Sequence, residues 1–340
     1  MPAKMKEVRC ALIGYGDASN HGRGMGWLHG EHINAVGMRV TAACDLNAAR
    51  MKRAAEDFPG IETYTDITTL LKSPNVDLCV IILPHNLHAP VALQCLKAGK
   101  HVILEKPMCL TTAEAKAMVD LAKKNDLMLT VFHCRRLDGD FKALHQAMAN
   151  GLLGEVFSIE LWGGGYHAPG TWWRSNKEIS GGAFYDWGAH YLDQLLQTAN
   201  SPVVNVSGYF HKRVWKQSTN EDQVQAVVRF ASGAVGNVTM SSIAHHSLPR
   251  WRVLGTKGAV VSGEKGFDYY TEHEGVKVKG LIRYQEDTWR DYYLNIAAHL
   301  MKGAELAVKP EEAARAIGIM EAAEKSSKSG KAEPLPRWLS

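Results

Sequence analysis

Through the first 134 residues, short apolar runs alternate with stretches of helical period, and this alternation restricts the fold more than any other feature of the chain. The runs are Val8 to Ile13, Arg39 to Cys44, Leu78 to Leu83, Val102 to Leu104 and Leu127 to Phe132. Several of them lack the every-second-residue polarity of a half-solvated strand, so they read as strands covered on both faces. Helix signals fall between them. Asn47 and Asp66 can cap helices over Ala48 to Phe58 and Ile67 to Lys72. Pro90 suits the first turn of a helix over Val91 to Lys97, and Gly99 suits its end. Thr111 and Glu114 have capping-box spacing for Ala113 to Lys124. Strand–helix alternation at this pace predicts an α/β Rossmann domain, a doubly wound parallel sheet, over residues 1–134.

Past Arg135 and Arg136 the pattern changes. Val156 to Trp162, Val203 to Val214, Gln223 to Phe230, Ala234 to Ser241, Trp251 to Leu254 and Ala259 to Ser262 are β-branched and often alternating. They predict an α+β domain over residues 135–340 with a large, mostly antiparallel open sheet, one face of it solvated or covered by a partner. Helices are expected over Phe141 to Asn150, Tyr292 to Met301 and Glu311 to Ser326, the last ones packing back on the first domain.

A chain of 340 residues with 46% hydrophobic and 22% charged content is long enough for two globular domains. Its net charge of +4 is slight, and no basic run interleaved with aromatics suggests nucleic acid. No apolar stretch reaches membrane-spanning length, and Met1 to Arg9 has no apolar core of a secretory signal. Cys10, Cys44, Cys79, Cys95, Cys109 and Cys134 are scattered without a C-x-x-C pair. They read as reduced thiols of a cytoplasmic protein, with neither a disulfide framework nor a thiolate metal site expected.

In an open α/β sheet, ligands bind beyond the carboxyl ends of the strands. Lys106, in His101-Val102-Ile103-Leu104-Glu105-Lys106-Pro107, falls at such an end, because proline stops the strand. A partly desolvated amine there can take part in acid–base work; the plain alternative is a surface lysine. The turn Gly14-Tyr15-Gly16 after the first strand reads as a dinucleotide cradle, where glycines let the backbone approach a pyrophosphate. The third glycine is displaced: Ser19 occupies its usual place. An insertion over Asp17 to Met25, with Gly26 opening the helix, accounts for this. The insertion also lengthens the distance to Asp45, which ends the second strand. A carboxylate there binds both ribose hydroxyls and repels a 2′-phosphate, favouring NAD over NADP, although Asp45 also suits a helix cap. His21, His29 and His32 lack zinc spacing and an acidic cluster, so polar loop and helix-start roles are expected and no metal.

In the second half, Asp186 and His190 lie four residues apart in a predicted helix, hence on one face. A carboxylate near an imidazole suits a group that takes a proton from a hydroxyl, and it equally describes an ordinary surface pair. Trp172, Trp173 and Arg174 could form a substrate wall, indoles against an apolar ring face and Arg174 bonding hydroxyls or an acid group, or could simply pack in the core or at a subunit interface.

Taken together, three stretches resemble the Gfo/Idh/MocA family of oxidoreductases, which includes glucose–fructose oxidoreductase and inositol dehydrogenase. They are Leu83-Pro84-His85-Asn86-Leu87-His88, Ala98 to Pro107 with its Glu105-Lys106-Pro107, and Gly181-Gly182-Ala183-Phe184-Tyr185-Asp186-Trp187-Gly188-Ala189-His190. A terminal echo is Glu321-Ala322-Ala323 with Ser326, Ser327 and Gly330. The glycine loop departs from the family pattern. The resemblance implies a nicotinamide enzyme moving hydride to or from a secondary hydroxyl of a sugar, an inositol-like polyol or a related carbohydrate. It implies that Pro84, Asn86 and His88 line the cofactor, that Glu105 helps seat the nicotinamide ribose and that Lys106 faces substrate. His88 could also cap a helix. Lys106, Asp186 and His190 would then be catalytic, and Lys106, Trp172, Trp173, Arg174, Asp186 and His190 would hold substrate. Two other activities occur among such proteins: NAD-dependent glycoside cleavage through transient oxidation and elimination, and dinucleotide sensing without turnover, as in a corepressor. The family habit of pairing open sheets further implies a homo-oligomer, dimer or tetramer.

Overall fold

The computed structural model describes residues 5–16 and 24–339. The chain divides into two compact units, Met1–Phe132 with Trp289–Ala313, and His133–Thr288 with Ala314–Ser340.

The first unit runs β1 (Arg9–Ile13), α1 (Met25–Ala35), β2 (Arg39–Cys44), α2 (Ala48–Asp57), β3 (Glu62–Tyr64), α3 (Ile67–Leu70), β4 (Leu78–Ile81), α4 (His88–Lys97), β5 (His101–Leu104), α5 (Thr112–Lys124) and β6 (Leu129–Val131). All strand pairs are parallel, in the order β3-β2-β1-β4-β5-β6. This is the doubly wound order with its switch point between β1 and β4, where the Rossmann class binds dinucleotides. The sheet forms because β4 is apolar throughout and β1 and β5 are apolar after Arg9 and His101: Leu12, Val80, Ile81, Ile103 and Leu104 are completely buried. The helix starts follow the sequence signals. The Asn47 side chain accepts from the Ala49 N–H, Asp66 from Thr69, and Thr111 and Glu114 close a full capping box.

The second unit contains α6 (Gly139–Ala149), β7 (Val156–Gly164), α7 (Lys177–Ser180), α8 (Gly188–Ala199), β8 (Val203–His211), β9 (Gln223–Phe230), β10 (Val235–Ser241), β11 (Trp251–Gly255), β12 (Gly258–Ser262), β13 (Gly266–His273) and β14 (Val276–Arg283). The eight strands stand in the order β14-β13-β12-β11-β7-β10-β9-β8, antiparallel except for β7 beside β10. One face is apolar. Val224, Ala226, Val228 and Phe230 of β9, Ile159 and Leu161 of β7 and Val238 of β10 are buried, and α8 packs on β7 and β10. The opposite face carries the exposed Tyr209 and Val235 and a Gln225–Asn237 hydrogen bond of 3.0 Å. Two helices end the chain: α9 (Arg290–Lys302), within the first unit, and α10 (Pro310–Ser329). A side chain on Gly208 of β8 would collide with the Ala323 carbonyl of α10, so only glycine allows that approach.

β13 and β14 were not expected from sequence. β13 buries only Gly266 and Phe267 at its start, and β14 leaves Val276 and Val278 exposed, so neither strand has a buried apolar face along its length. Among the described residues no helix is long and apolar enough to cross a membrane.

Candidate functional site

In the first unit the chemistry gathers at the carboxyl ends of β1, β2, β4 and β5. Gly14 and Gly16 have φ of +84° and +71°, left-handed conformations that an L side chain adopts only at a cost. A Cβ on Gly14 would strike the Ile82 carbonyl beyond β4, whereas one on Gly16 would meet nothing within 4 Å. Among the described residues nothing fills the space that a Gly16 side chain would take, which suits a cradle for a large ligand. A Cβ on Gly26, in the first turn of α1, would lie 2.7 Å from the Tyr15 carbonyl oxygen, so the helix and the turn can touch only through glycine. Among the described residues α1 has no side-chain cap and no acidic residue in its first turn, so its positive end suits an anion. The expected insertion from Asp17 onward, with Ser19 and His21, lies outside the described residues up to Arg23.

Asp45 is nearly buried and bonded on three sides. Its Oδ2 accepts from the Tyr15 N–H at 3.0 Å and its Oδ1 from the Asn47 N–H at 2.9 Å. The Arg50 guanidinium stands 3.3 Å from both oxygens. Asp45 thus ties the end of β2 to the glycine turn, while Asn47 performs the capping of α2. The Tyr15 ring is completely buried, its hydroxyl donating to Asp57 at 2.6 Å, so any ligand contact it makes comes from its backbone.

Beyond β4, the turn from Pro84 to Leu87 carries Asn86, whose buried Oδ1 has no hydrogen-bond partner among the described residues. A buried amide oxygen left over by the protein fits a ligand group that donates to it, such as an amide or a hydroxyl. The open side of Gly16, the uncapped α1 and this oxygen together fit a dinucleotide. His88 begins α4 and is fully enclosed, so its ring presents no surface to a ligand. Its Nδ1 lies 2.7 Å from the Pro107 carbonyl and its Nε2 2.8 Å from that of Leu83. It braces the segments that follow β4 and β5. Burial, opposed by those two carbonyls, holds its pKa below the usual histidine value.

Glu105 follows β5. Its Oε1 accepts from His29 Nε2 at 2.9 Å and its Oε2 from the Lys106 N–H at 3.0 Å. Burial pushes the carboxyl pKa up, but the His29 hydrogen bond, the Lys106 ammonium and the Lys106 N–H outweigh it and leave the carboxyl below its ordinary value. His29 itself is buried in α1 and also bonds the Tyr293 hydroxyl of α9. This corrects the expected loop or helix-start role of His29: it is a core histidine joined to the Glu105-Lys106-Pro107 motif. Among the described residues no group of His, Cys, Asp and Glu side chains is placed to hold a metal ion.

In the second unit, Asp186 does not lie within a helix as expected. Gly181 and Gly182, at φ +87° and +117°, open a turn that carries Asp186, and α8 begins only at Gly188. Asp186 pairs with Arg174, Oδ2 to Nε 3.3 Å. The Arg174 guanidinium lies 4.7 Å from the Trp172 ring and 4.2 Å from the Trp173 ring. The four residues Trp172, Trp173, Arg174 and Asp186 are therefore one cluster, with Trp172 53% exposed. His190 is nearly buried in the first turn of α8, its ring 6.1 Å, centroid to centroid, from those of both Trp187 and His133.

Sequence reasoning missed the buried carboxylate of α8. Asp193 receives Arg136 through two bonds of 2.8 and 2.6 Å, and its Oδ2 is 3.9 Å from His133 Nδ1. Burial raises the Asp193 pKa, and the charges of Arg136 and His133 more than reverse that. Its spacing of three from His190 on a helix was the available signal.

A six-stranded Rossmann sheet with a glycine cradle at its switch point and a lysine at a strand end defines a dinucleotide-dependent oxidoreductase. Residues 8–133 match the model of the oxidoreductase family with an NAD-binding Rossmann fold, and residues 141–261 match that of the Gfo/Idh/MocA C-terminal domain. An uncharacterized oxidoreductase of Schizosaccharomyces pombe is 30% identical over 337 residues, covering 87% of this chain and 91% of that protein. A scyllo-inositol 2-dehydrogenase (NADP(+)) of Bacillus subtilis is 26% identical over 353 residues, covering 96% of this chain and 95% of its own. The crystal structure of an NAD-binding protein from Listeria innocua superposes with a TM-score of 0.86 at 26% identity, over 97% of each chain. The chain belongs to the Gfo/Idh/MocA family of NAD(P)-dependent oxidoreductases.

Proposed function

We propose that the protein is a dehydrogenase of a secondary hydroxyl on a cyclic polyol or sugar, with NAD preferred over NADP. The observation that carries the substrate class is the Arg174 guanidinium held against two indoles and paired with Asp186. Aromatic faces suit the C–H surface of a ring, and an adjacent paired cation and carboxylate offer both donors and acceptors to its hydroxyls. The inositol dehydrogenase among its relatives supports the same class.

Glycines 14, 16 and 26, Asp45, the Pro84–Asn86 turn and Glu105 are the residues that would hold the dinucleotide. When bound, its nicotinamide takes up or returns the hydride. Lys106 is the group that would bond the reacting oxygen and stabilise its developing charge. His190 is the candidate for taking the hydroxyl proton, and Asp186 and Arg174 would orient the substrate. His88 would act indirectly, by fixing the backbone beyond β4 and β5.

The preference for NAD rests on the buried Asp45 carboxylate, which would accept from the ribose hydroxyls and oppose a 2′-phosphate. We infer a homo-oligomer formed over the open sheet face that carries Tyr209 and Val235, which light scattering on the purified protein tests. The six cysteines are all buried, with no disulfide among the described residues, which supports a reducing compartment, the cytoplasm.

The functional test is a screen of the purified protein with NAD⁺ and NADP⁺ against inositols, aldoses, ketoses and glycosides, followed at the nicotinamide absorbance band. Reduction of NAD⁺ with an inositol or a sugar is expected. Activity confined to acyclic hydroxy acids, or none with any polyol, would overturn the assignment.

A further inference from the structure

We propose that His29 and Tyr293 are positioning residues for Glu105, a buried relay behind the cofactor face that fixes how its carboxylate is presented. The proposal rests on the reading that Glu105 seats the nicotinamide ribose. Three elements far apart in sequence supply the relay: α1 brings His29, the end of β5 brings Glu105 and α9 brings Tyr293. His29 and Tyr293 are completely buried.

The hydrogen-bond directions follow from the groups. An ionised carboxylate only accepts, so His29 Nε2 donates to Glu105 Oε1 at 2.9 Å. In the neutral ring Nδ1 is then an acceptor, and the Tyr293 hydroxyl donates to it. Tyr293 thereby selects the tautomer that can serve Glu105. With its proton moved to Nδ1, the ring would turn a lone pair toward the carboxylate. Phe132 packs on the imidazole with ring centroids 4.6 Å apart and planes at 62°, which keeps the ring from swinging away.

Oε2 of Glu105 is held separately by the Lys106 N–H at 3.0 Å. Both oxygens thus have a fixed donor, and rotation of the carboxylate would break both bonds. Each oxygen retains a further lone pair with which to accept from a ligand hydroxyl. Glu105 lies directly before Lys106, so the same clamp fixes the backbone from which the lysine side chain starts.

The test measures NADH affinity, by quenching of protein fluorescence, for H29L, Y293F, E105Q and the H29L/E105Q double variant, with thermal melting to establish folding. H29L should weaken NADH binding by about tenfold to a hundredfold, the loss expected for a hydrogen bond to a charged group. Y293F should weaken it less, and H29Q should restore part of the loss by returning an N–H donor. Because His29 works through Glu105, the double variant should bind no more weakly than E105Q alone. The acid limb of NADH binding should move to higher pH in H29L, a shift that a purely structural histidine would not cause. The titratable groups facing Glu105 are His29 from α1, Lys106 after β5 and His88 from α4, and only the first is altered. If E105Q leaves NADH affinity unchanged, the cofactor role of Glu105 is wrong and the proposal falls with it. If E105Q weakens binding while H29L and Y293F, both folded, do not, the positioning role alone is wrong. Additive losses in the double variant would also overturn it.

Discussion

The guanidinium of Arg50 stands 3.3 Å from each carboxylate oxygen of Asp45, one turn into the helix that follows β2. The pair sets two tendencies against each other. In the proposed cofactor site Asp45 would favour a ribose with free hydroxyls, while Arg50 would offset its charge and supply the cation that a 2′-phosphate needs. Arg50→Ala should therefore sharpen discrimination against NADPH, and Asp45→Ser should relax it. A bond to a charged group contributes about 1.5–3 kcal/mol, so the NADH-to-NADPH affinity ratio should fall roughly tenfold or more in Asp45→Ser. Fluorescence titration of both nucleotides checks this; an unchanged ratio in both variants would remove Asp45 from the ribose site.

Two glycines of the cradle, Gly16 and Gly26, should fail in different ways. Gly16→Ala meets no neighbour among the described residues, so its cost to stability is that of one left-handed residue, about 1–2 kcal/mol, while its methyl would stand on the side from which a pyrophosphate would approach. Gly26→Ala instead collides with Tyr15 in the interior of the turn. Thermal melting and NADH titration should show Gly16→Ala folded but weak in binding, and Gly26→Ala impaired in both.

How far such a site can be foreseen depends on the range of the interaction. Caps at Asn47, Asp66 and Thr111 are local, and they appear where spacing placed them. The all-apolar strands ending at Gly14 and Lys106 announce a parallel sheet, because burial on both faces removes every polar alternative. His29 carries no such mark. Its role depends on Glu105 and Tyr293, 76 and 264 residues away, and no periodicity encodes that meeting. Asp186 was misplaced for a local reason: the glycines at 181 and 182 hold left-handed turns that delay the helix, where the residue spacing alone suggested it had begun. The Arg136–Asp193 pair was missed because a lone carboxylate among apolar helix residues does not name its partner.

Arg136→Ala should be the most destabilising of the single changes in the second unit. It leaves the Asp193 carboxylate buried and without its main counter-charge, at a cost of about 3–5 kcal/mol. Urea unfolding checks the value. Asp193→Asn should cost less, because it removes the buried charge along with the pair.

Acid should destabilise the protein in two stages. His88, His101 and His145 are each held below 6.5, chiefly by burial. Below that value the unfolded chain binds protons that the folded one refuses, so stability falls as pH drops from about 6.5 through the lowered folded values. Glu105 and Asp193 have depressed carboxyl pKa values despite burial, so their contribution is present above about 4 and is lost as pH falls further. Melting temperatures between pH 8 and pH 3 should show both declines; a flat profile from pH 7 to pH 5 would contradict the buried neutral histidines.

Lys106→Met separates binding from chemistry and so tests the central assignment most directly. With the polyol or sugar identified by the substrate screen, kcat should fall by about 10²–10⁴-fold at saturating NAD⁺, while NADH affinity stays within about threefold of the parent. Turnover that persists at the parental rate in a folded Lys106→Met protein would contradict the role given to this lysine.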